Sequence, residues 1–168
     1  MPPPAVPASP TRRRRATPGT GDGVVVRPVR RADLEQVIAI DTAVTGLEKR
    51  AYWASVHRRY GGGGRGDQTF LVALYGGRVV GYVIGEVRDW EFGSPPCGWV
   101  FAISVDPAAR LAGVGTRLLD AISDAFRRAG VRKLRTLLAR ENTLILSFFR
   151  SQGLMAGPLM SLERDLAQ

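Results

Sequence analysis

Apolar and polar positions along the chain follow two periods, and the switches between them mark out its elements. Residues 24–30, VVVRPVR, form a β-rich run. In ADLEQVIAIDTAV, Leu34, Val37, Ile38 and Asp41 recur at helical spacing along one stripe. Asp33 stands near the start, where a carboxylate suits the helix dipole. Residues 47–60 read as a second helix, because Tyr52, Val56 and Tyr60 recur every four positions. The glycine-rich connector GGGGRGD, 61–67, ends it. TFLVALY and RVVGYVIGEVRDWEF are then two strands joined by Gly76–Gly77, a two-residue turn that tolerates positive φ. The second is apolar on both faces around 79–87, which predicts a central place in the sheet. Pro95–Pro96 marks another turn, and CGWVFAISV, 97–105, is a fourth strand.

Val114, Leu118, Leu119, Ile122 and Phe126 share one helical face, and Gly130 stops that helix. VRKLRTLLA, 131–139, reads as a strand. ENTLILSFFRSQG reads as a helix, with Leu144/Phe148 and Ile145/Phe149 four residues apart and Gly153 as its stop. LMAGPLMSLERDL alternates weakly and closes the chain as a strand. The order is β-α-α-β-β-β-α-β-α-β, or the same with the last strand doubled. This is an α/β protein with a mixed sheet, mostly antiparallel in its first half.

With 168 residues, 45% hydrophobic and 23% charged, the chain suits one domain, 24–168, behind a tail. Residues 1–23 hold six of the eleven prolines and almost no large apolar side chains, which predicts a disordered Pro/Arg-rich tail. They lack the apolar core of a secretory signal. No apolar run approaches the ~20 residues of a membrane helix. Cys97 is the one cysteine and His57 the one histidine, which excludes an intrachain disulfide and a four-ligand Cys/His metal cluster. A reducing cytoplasm is the expected compartment. The net charge is +9, of which Arg12–Arg15 against Asp22 supply +3. Basic residues after Arg31 are scattered, which favours a surface attracting an anionic cofactor over a nucleic-acid site or a membrane surface.

The stretch DPAARLAGVGTRLLDAI, 106–122, raises a question of chemistry. Glycine inside a helix costs about 1 kcal/mol relative to alanine, yet Gly113 and Gly115 stand at this helix's start. Removing side chains there lets an anion approach the unpaired backbone N–H groups. Arg110 adds a positive charge. Close packing of the helix is the competing explanation.

This stretch resembles the acyl-CoA signature of the GNAT superfamily of N-acyltransferases, Gln/Arg-x-x-Gly-x-Gly/Ala. Residues 24–165 follow that family's element order, and Asn142, Phe149 and Gly153-Leu154 resemble its downstream Asn…Tyr…Gly-Phe block. The resemblance implies a GNAT-like fold, splayed between the fourth and fifth strands, that uses acetyl-CoA as acyl donor. Backbone N–H groups of Leu111, Ala112, Gly113, Val114, Gly115 and Thr116 would hold the pyrophosphate. Ile103, Ser104 and Val105 would pair with the pantetheine arm. Asn142 would contact the cofactor near the thioester. Where many relatives carry a tyrosine that protonates the departing sulfur, this chain has Phe149. The strand-four glutamate of many relatives is also missing.

An alkylammonium has pKa ~10.4, so the site must desolvate the amine or supply a base. Glu91 is the first candidate: with residues 92–96 as a hairpin loop it would lie opposite Cys97. Glu86 is the second, on the opposite face. Pairing of both with surface arginines is the competing reading. Asp41, Glu48, Tyr52 and Trp53 are candidate acceptor contacts. The candidate acceptors are a protein lysine or N-terminal amine, a polyamine, or an aminoglycoside-like molecule. Without a deep acidic cluster on a net basic surface, the expected one is a protein amine or a small amine without multiple charges. A non-catalytic acetyl-CoA-sensing module is the alternative, and strand edges at the splay suggest a homodimer.

Overall fold

A computed structural model describes residues 23–63, 67–110 and 113–166. The expected tail lies outside them except for Gly23, as do residues 64–66 of the connector and Leu111 and Ala112. The elements are β1 (Val24–Pro28), α1 (Leu34–Thr45), α2 (Arg50–Tyr60), β2 (Gln68–Tyr75), β3 (Arg78–Arg88), β4 (Cys97–Val105), α3 (Val114–Arg128), β5 (Leu134–Thr136) and α4 (Thr143–Ser151). The five strands form one sheet in chain order. β1 to β4 are antiparallel neighbours, and β5 lies parallel to β4. A parallel neighbour needs a long crossover, which α3 provides.

Helices cover both faces of the sheet. On one, Val37, Ile40, Trp53 and Val56 of α1 and α2 pack on Phe70, Val72, Tyr82 and Ile84. On the other, Val114, Leu118, Ile122 and Phe126 of α3, with Phe149 of α4, pack on Leu71, Ala73, Val83 and Val100. Successive residues such as Leu71 and Val72 therefore enter different cores. This is the physical reason β2 and β3 read as continuous apolar runs rather than alternating ones. Each fully buried large apolar side chain contributes about 1.5–3 kcal/mol. Gly76–Gly77 makes the expected turn, with φ of 57° and 78°.

The start of α1 is tied to β1. The Arg27 guanidinium meets both carboxylate oxygens of Asp33, at 2.7 and 2.9 Å, and the Arg30 N–H donates to Asp33 Oδ2 at 2.7 Å. The hydrogen bond from Arg27 comes first among the interactions that hold the Asp33 carboxyl below its usual range.

Three expectations are corrected. The closing strand does not form: residues 154–166 carry no regular structure. Gly157–Pro158 interrupts the segment, and Pro158 has no N–H for a ladder. The strand expected at 131–139 shortens to Leu134–Thr136. The second helix begins at Arg50 rather than at 47, because Gly46, at φ 72°, ends α1 and residues 47–49 span the link. No helix among the described residues is long and apolar enough to cross a membrane.

α3 sits so close to the sheet that a Cβ at Gly98 would drive into the Phe126 ring, and one at Gly85 would come within 2.8 Å of it. Gly98→Val is therefore expected to lower stability by about 1–3 kcal/mol through overpacking. Denaturant unfolding should show a lower midpoint with an unchanged slope.

Candidate functional site

β4 is where the sheet comes apart. Ile84 of β3 lies opposite Ala102, yet the next residue, Gly85, lies opposite Val100. Phe101 is the extra residue of a β-bulge. β5 pairs with Gly98, Trp99 and Val100 and stops there. The Thr136 hydroxyl donates to the Val100 carbonyl at 2.8 Å, closing the ladder at the point of divergence. Beyond it, Ala102 to Val105 have β3 on one side and no β5 partner on the other.

A cavity of about 280 Å³ opens along that unpaired edge. Ile103 and Ser104 of β4 line it, with Asn142 and Phe149 from the α4 region, Asp41 from α1 and Tyr82 from β3. The Asn142 side chain caps α4, its Oδ1 accepting the Ile145 N–H at 3.2 Å. Phe149 is almost fully buried and brings no hydroxyl to the cavity.

The N-terminus of α3 follows the exit of β4. Gly113 caps it at φ 71°, a left-handed conformation in which other L-residues are strained. A Cβ at Gly113 would meet nothing within 4 Å, and no side chain caps the helix. The first helical bond runs from the Arg117 N–H to the Gly113 carbonyl, at 3.1 Å. The N–H groups of Val114, Gly115 and Thr116 therefore have no acceptor within the helix, and they stand at the positive end of its dipole. Arg110 is exposed just before them. Gly115 answers to packing: a Cβ there would lie 3.1 Å from the Phe148 ring of α4. Val114 puts its side chain into the core and can offer a ligand only its backbone. The backbone that a coenzyme diphosphate needs is thus present at 113–116, and an unpaired strand edge suits the amides of a pantetheine arm. Leu111 and Ala112, assigned to the same cradle, lie outside the described residues.

The expected bases fall elsewhere. Arg88, not Glu91, lies opposite Cys97. Trp90 and Phe92 take left-handed φ values of 51° and 48°, turning the chain before Glu91 can join the strand. Glu91 sits in a 3-10 turn, 3.7 Å from the Arg88 guanidinium. Glu86 faces α2, accepting from the Tyr60 hydroxyl at 2.8 Å and Arg88 Nε at 2.9 Å. Burial pushes its pKa up, but the hydrogen bonds from Tyr60 and Arg88 and the charges of Arg88 and Arg59 outweigh that and leave it lowered. The same contact works the other way on Tyr60: burial first, then Glu86, push its phenol up to about 12. Neither glutamate lines the cavity. Glu86 reaches it only through Tyr60, whose ring meets Phe101 edge-on at 5.2 Å.

Two titratable side chains line the cavity instead, Asp41 and Tyr82. Asp41 is buried and accepts from Trp53 Nε1 at 2.9 Å. Tyr82 gave no signal in the sequence, where it stands in an apolar run. Burial, reinforced by the charge of Asp41 and only partly opposed by a hydrogen bond with Ser104, holds its phenol above the ordinary range. Tyr82 therefore stays protonated.

A lowered carboxylate pKa contributes stability above the unfolded value and loses it as pH falls through the folded one. For Glu86, whose ordinary value is 4.5, that loss belongs below about pH 4.5. Glu86→Gln is expected to be less stable than the parent at pH 6, with the gap narrowing as pH falls to about 3. Denaturant titrations across that range read it directly.

Residues 36–154 match the model of the Acetyltransferase (GNAT) family. The L-2,4-diaminobutyric acid acetyltransferase of Nocardia farcinica (strain IFM 10152) is 35% identical over 81 residues, 48% of this chain and 40% of that protein. The matched region thus spans less than half of that relative's length. Among solved structures, aminoglycoside N-acetyltransferase AAC(6')-Iy in complex with CoA superposes with a TM-score of 0.75 at 18% identity, covering 88% of this chain and 97% of that one. A transcriptional regulator from Bacillus halodurans C-125 superposes at 0.73 with 16% identity, over 85% and 99%. At such identities the likeness is one of fold.

Proposed function

Because this chain belongs to the acetyltransferase (GNAT) family, we propose that it moves an acetyl group from acetyl-CoA to a primary amine of a small molecule. One observation carries the reading. The unpaired edge of β4 borders the cavity, and the chain that leaves this edge leads into the uncapped N-terminus of α3. On this reading Ile103, Ser104 and Val105 hold the pantetheine arm through their backbone. The N–H groups of Val114, Gly115 and Thr116 hold the diphosphate, with the charge of Arg110 alongside.

The transfer needs a neutral amine. Its lone pair forms the new C–N bond at the thioester carbon, the C–S bond breaks, and the amine proton leaves with the thiolate or to water. A backbone N–H near Ser104–Val105 would stabilise the oxyanion between these steps. Phe149 offers no proton to the sulfur. A thiol pKa near 8.5 lets the thiolate leave without one, at a cost in rate rather than in outcome. Glu86 and Glu91 would act on the amine only at a distance, since neither faces the cavity.

A small acceptor fits better than the protein amine expected from the sequence. α1 borders the cavity through Asp41, Val44 and Thr45, and both acetyltransferases matched above are named for free small-molecule amines. Calorimetry with acetyl-CoA, followed by thiol release over a panel of amines, tests the assignment. Gly113→Val should weaken acetyl-CoA binding by roughly tenfold or more, about 1.4 kcal/mol. The valine both strains the left-handed position and covers the N–H groups. Unchanged affinity in that variant, or no acetyl-CoA binding in the parent, overturns the reading.

A further inference from the structure

The cavity's charge is held by a single side chain. Among the described residues that line it, Asp41 alone is ionic. The residue is only 5% exposed, and its carboxylate accepts from a donor that is itself buried. Trp53 Nε1 donates to Oδ2 at 2.9 Å, while the indole is 2% exposed and meets the Tyr82 ring edge-on at 5.1 Å. The charge partner is of a different kind. The Lys49 ammonium lies 3.0 Å from Oδ2 and 3.2 Å from Oδ1. Lys49 comes from the link between α1 and α2, and its side chain is 36% exposed. A compact, strongly hydrated ion on a flexible four-carbon stem thus closes the outer side of a buried anion.

We propose that Asp41 is the selectivity site for acceptors that carry a second ammonium group, and that Lys49 occupies it until such an acceptor displaces it. The class is a diamine or diamino acid whose non-reacting amine is cationic. The inference rests on the proposed acetyl transfer for the reaction it serves, and on the Asp41 cluster for the binding. Lys49 shows that the carboxylate accepts an alkylammonium in this geometry. Released to water, that ammonium recovers its hydration, so exchange costs little beyond the contact itself. The ammonium held there is not the one acetylated. A carboxylate in contact keeps an amine protonated, and attack requires the free base. Asp41 therefore anchors one end of the acceptor while the other reaches the thioester. This reverses the expectation of an acceptor without multiple charges, which rested on the lack of an acidic cluster. One desolvated carboxylate is sufficient where a cluster on the surface would be screened.

The test compares butane-1,4-diamine with butan-1-amine by calorimetry on the full chain, with and without saturating CoA. The parent should bind the diamine at least about tenfold more tightly. Asp41→Asn should erase that preference, since asparagine still accepts from Trp53 but carries no charge. Lys49→Met should tighten diamine binding severalfold by removing the competitor, and it carries the test if Asp41→Asn fails to fold. Equal affinities in the parent, a preference that survives Asp41→Asn, or unchanged diamine affinity in Lys49→Met would each overturn the proposal. Thiol release measured on the same amines separates the two readings. Turnover of both without a diamine preference defeats the Asp41 site and leaves acetyl transfer standing. A diamine preference in binding without thiol release supports the site and defeats the transfer.

Discussion

One extra residue in a strand decides where this molecule can bind anything. Phe101 has no counterpart on β3, so β4 bends and twists there in the way a bulge imposes. β5 follows β4 as far as Val100 and no farther. Two packings hold the divergence open. Gly85 and Gly98 let Phe126 of α3 press onto the sheet, fixing the crossover that delivers β5 beside residues 98–100. On the far side, Gly115 lets Phe148 of α4 lie against the start of α3, and Phe149 sinks into the same core. The chain after β5 is thus drawn toward α4 and away from β4. An unpaired strand edge is ordinarily a liability. Here it borders a cavity instead of solvent at the sheet's rim, where an extended ligand can complete it.

The helical and central-strand elements were legible because their physics is local. The α3 stripe from Val114 to Phe126 is a one-faced pattern, and it packs on one face. The both-face apolarity of β3 predicted its central position for the right reason. Longer-range facts left no local trace. The bulge at Phe101 depends on the register between two strands, and nothing in CGWVFAISV marks one residue as surplus. The misplacement of Glu91 has the same origin. Its register assumed a loop over 92–96, whereas the left-handed Trp90 and Phe92 start the turn earlier, and large aromatic residues give no warning of positive φ. The weak alternation of 154–166 predicts a closing strand, but Gly157–Pro158 within it interrupts any ladder.

The glycine signature was legible as a pair but divides in the structure. Gly113 is favoured by its left-handed backbone and leaves the N–H groups bare, while a side chain at Gly115 would crowd the Phe148 ring. On the proposed reading one glycine serves a ligand, while the other serves the contact between two helices. Substitution at the two positions thus probes different physics. This division is why a spacing motif can be specific for a family without every position in it touching the ligand.

The two ends of the opening differ in how they offer charge. On the α3 side the positive potential comes from backbone N–H groups and the helix dipole, which cannot titrate or rotate away. On the α1 side it is negative and comes from one carboxylate, clamped by an indole and covered by a movable ammonium. On the proposed reading, an anionic diphosphate and a cationic acceptor would each be drawn to one end and repelled from the other. The two substrates would thereby be oriented before any contact at the reacting atoms, and Phe101, Ile103 and Phe149 give the cavity an apolar stretch. Desolvation favours the neutral amine there. The low density of titratable groups at the centre of the cavity is thus consistent with the proposed chemistry: the acceptor's charge would be held at one end, and its reacting nitrogen left where a proton is hard to keep.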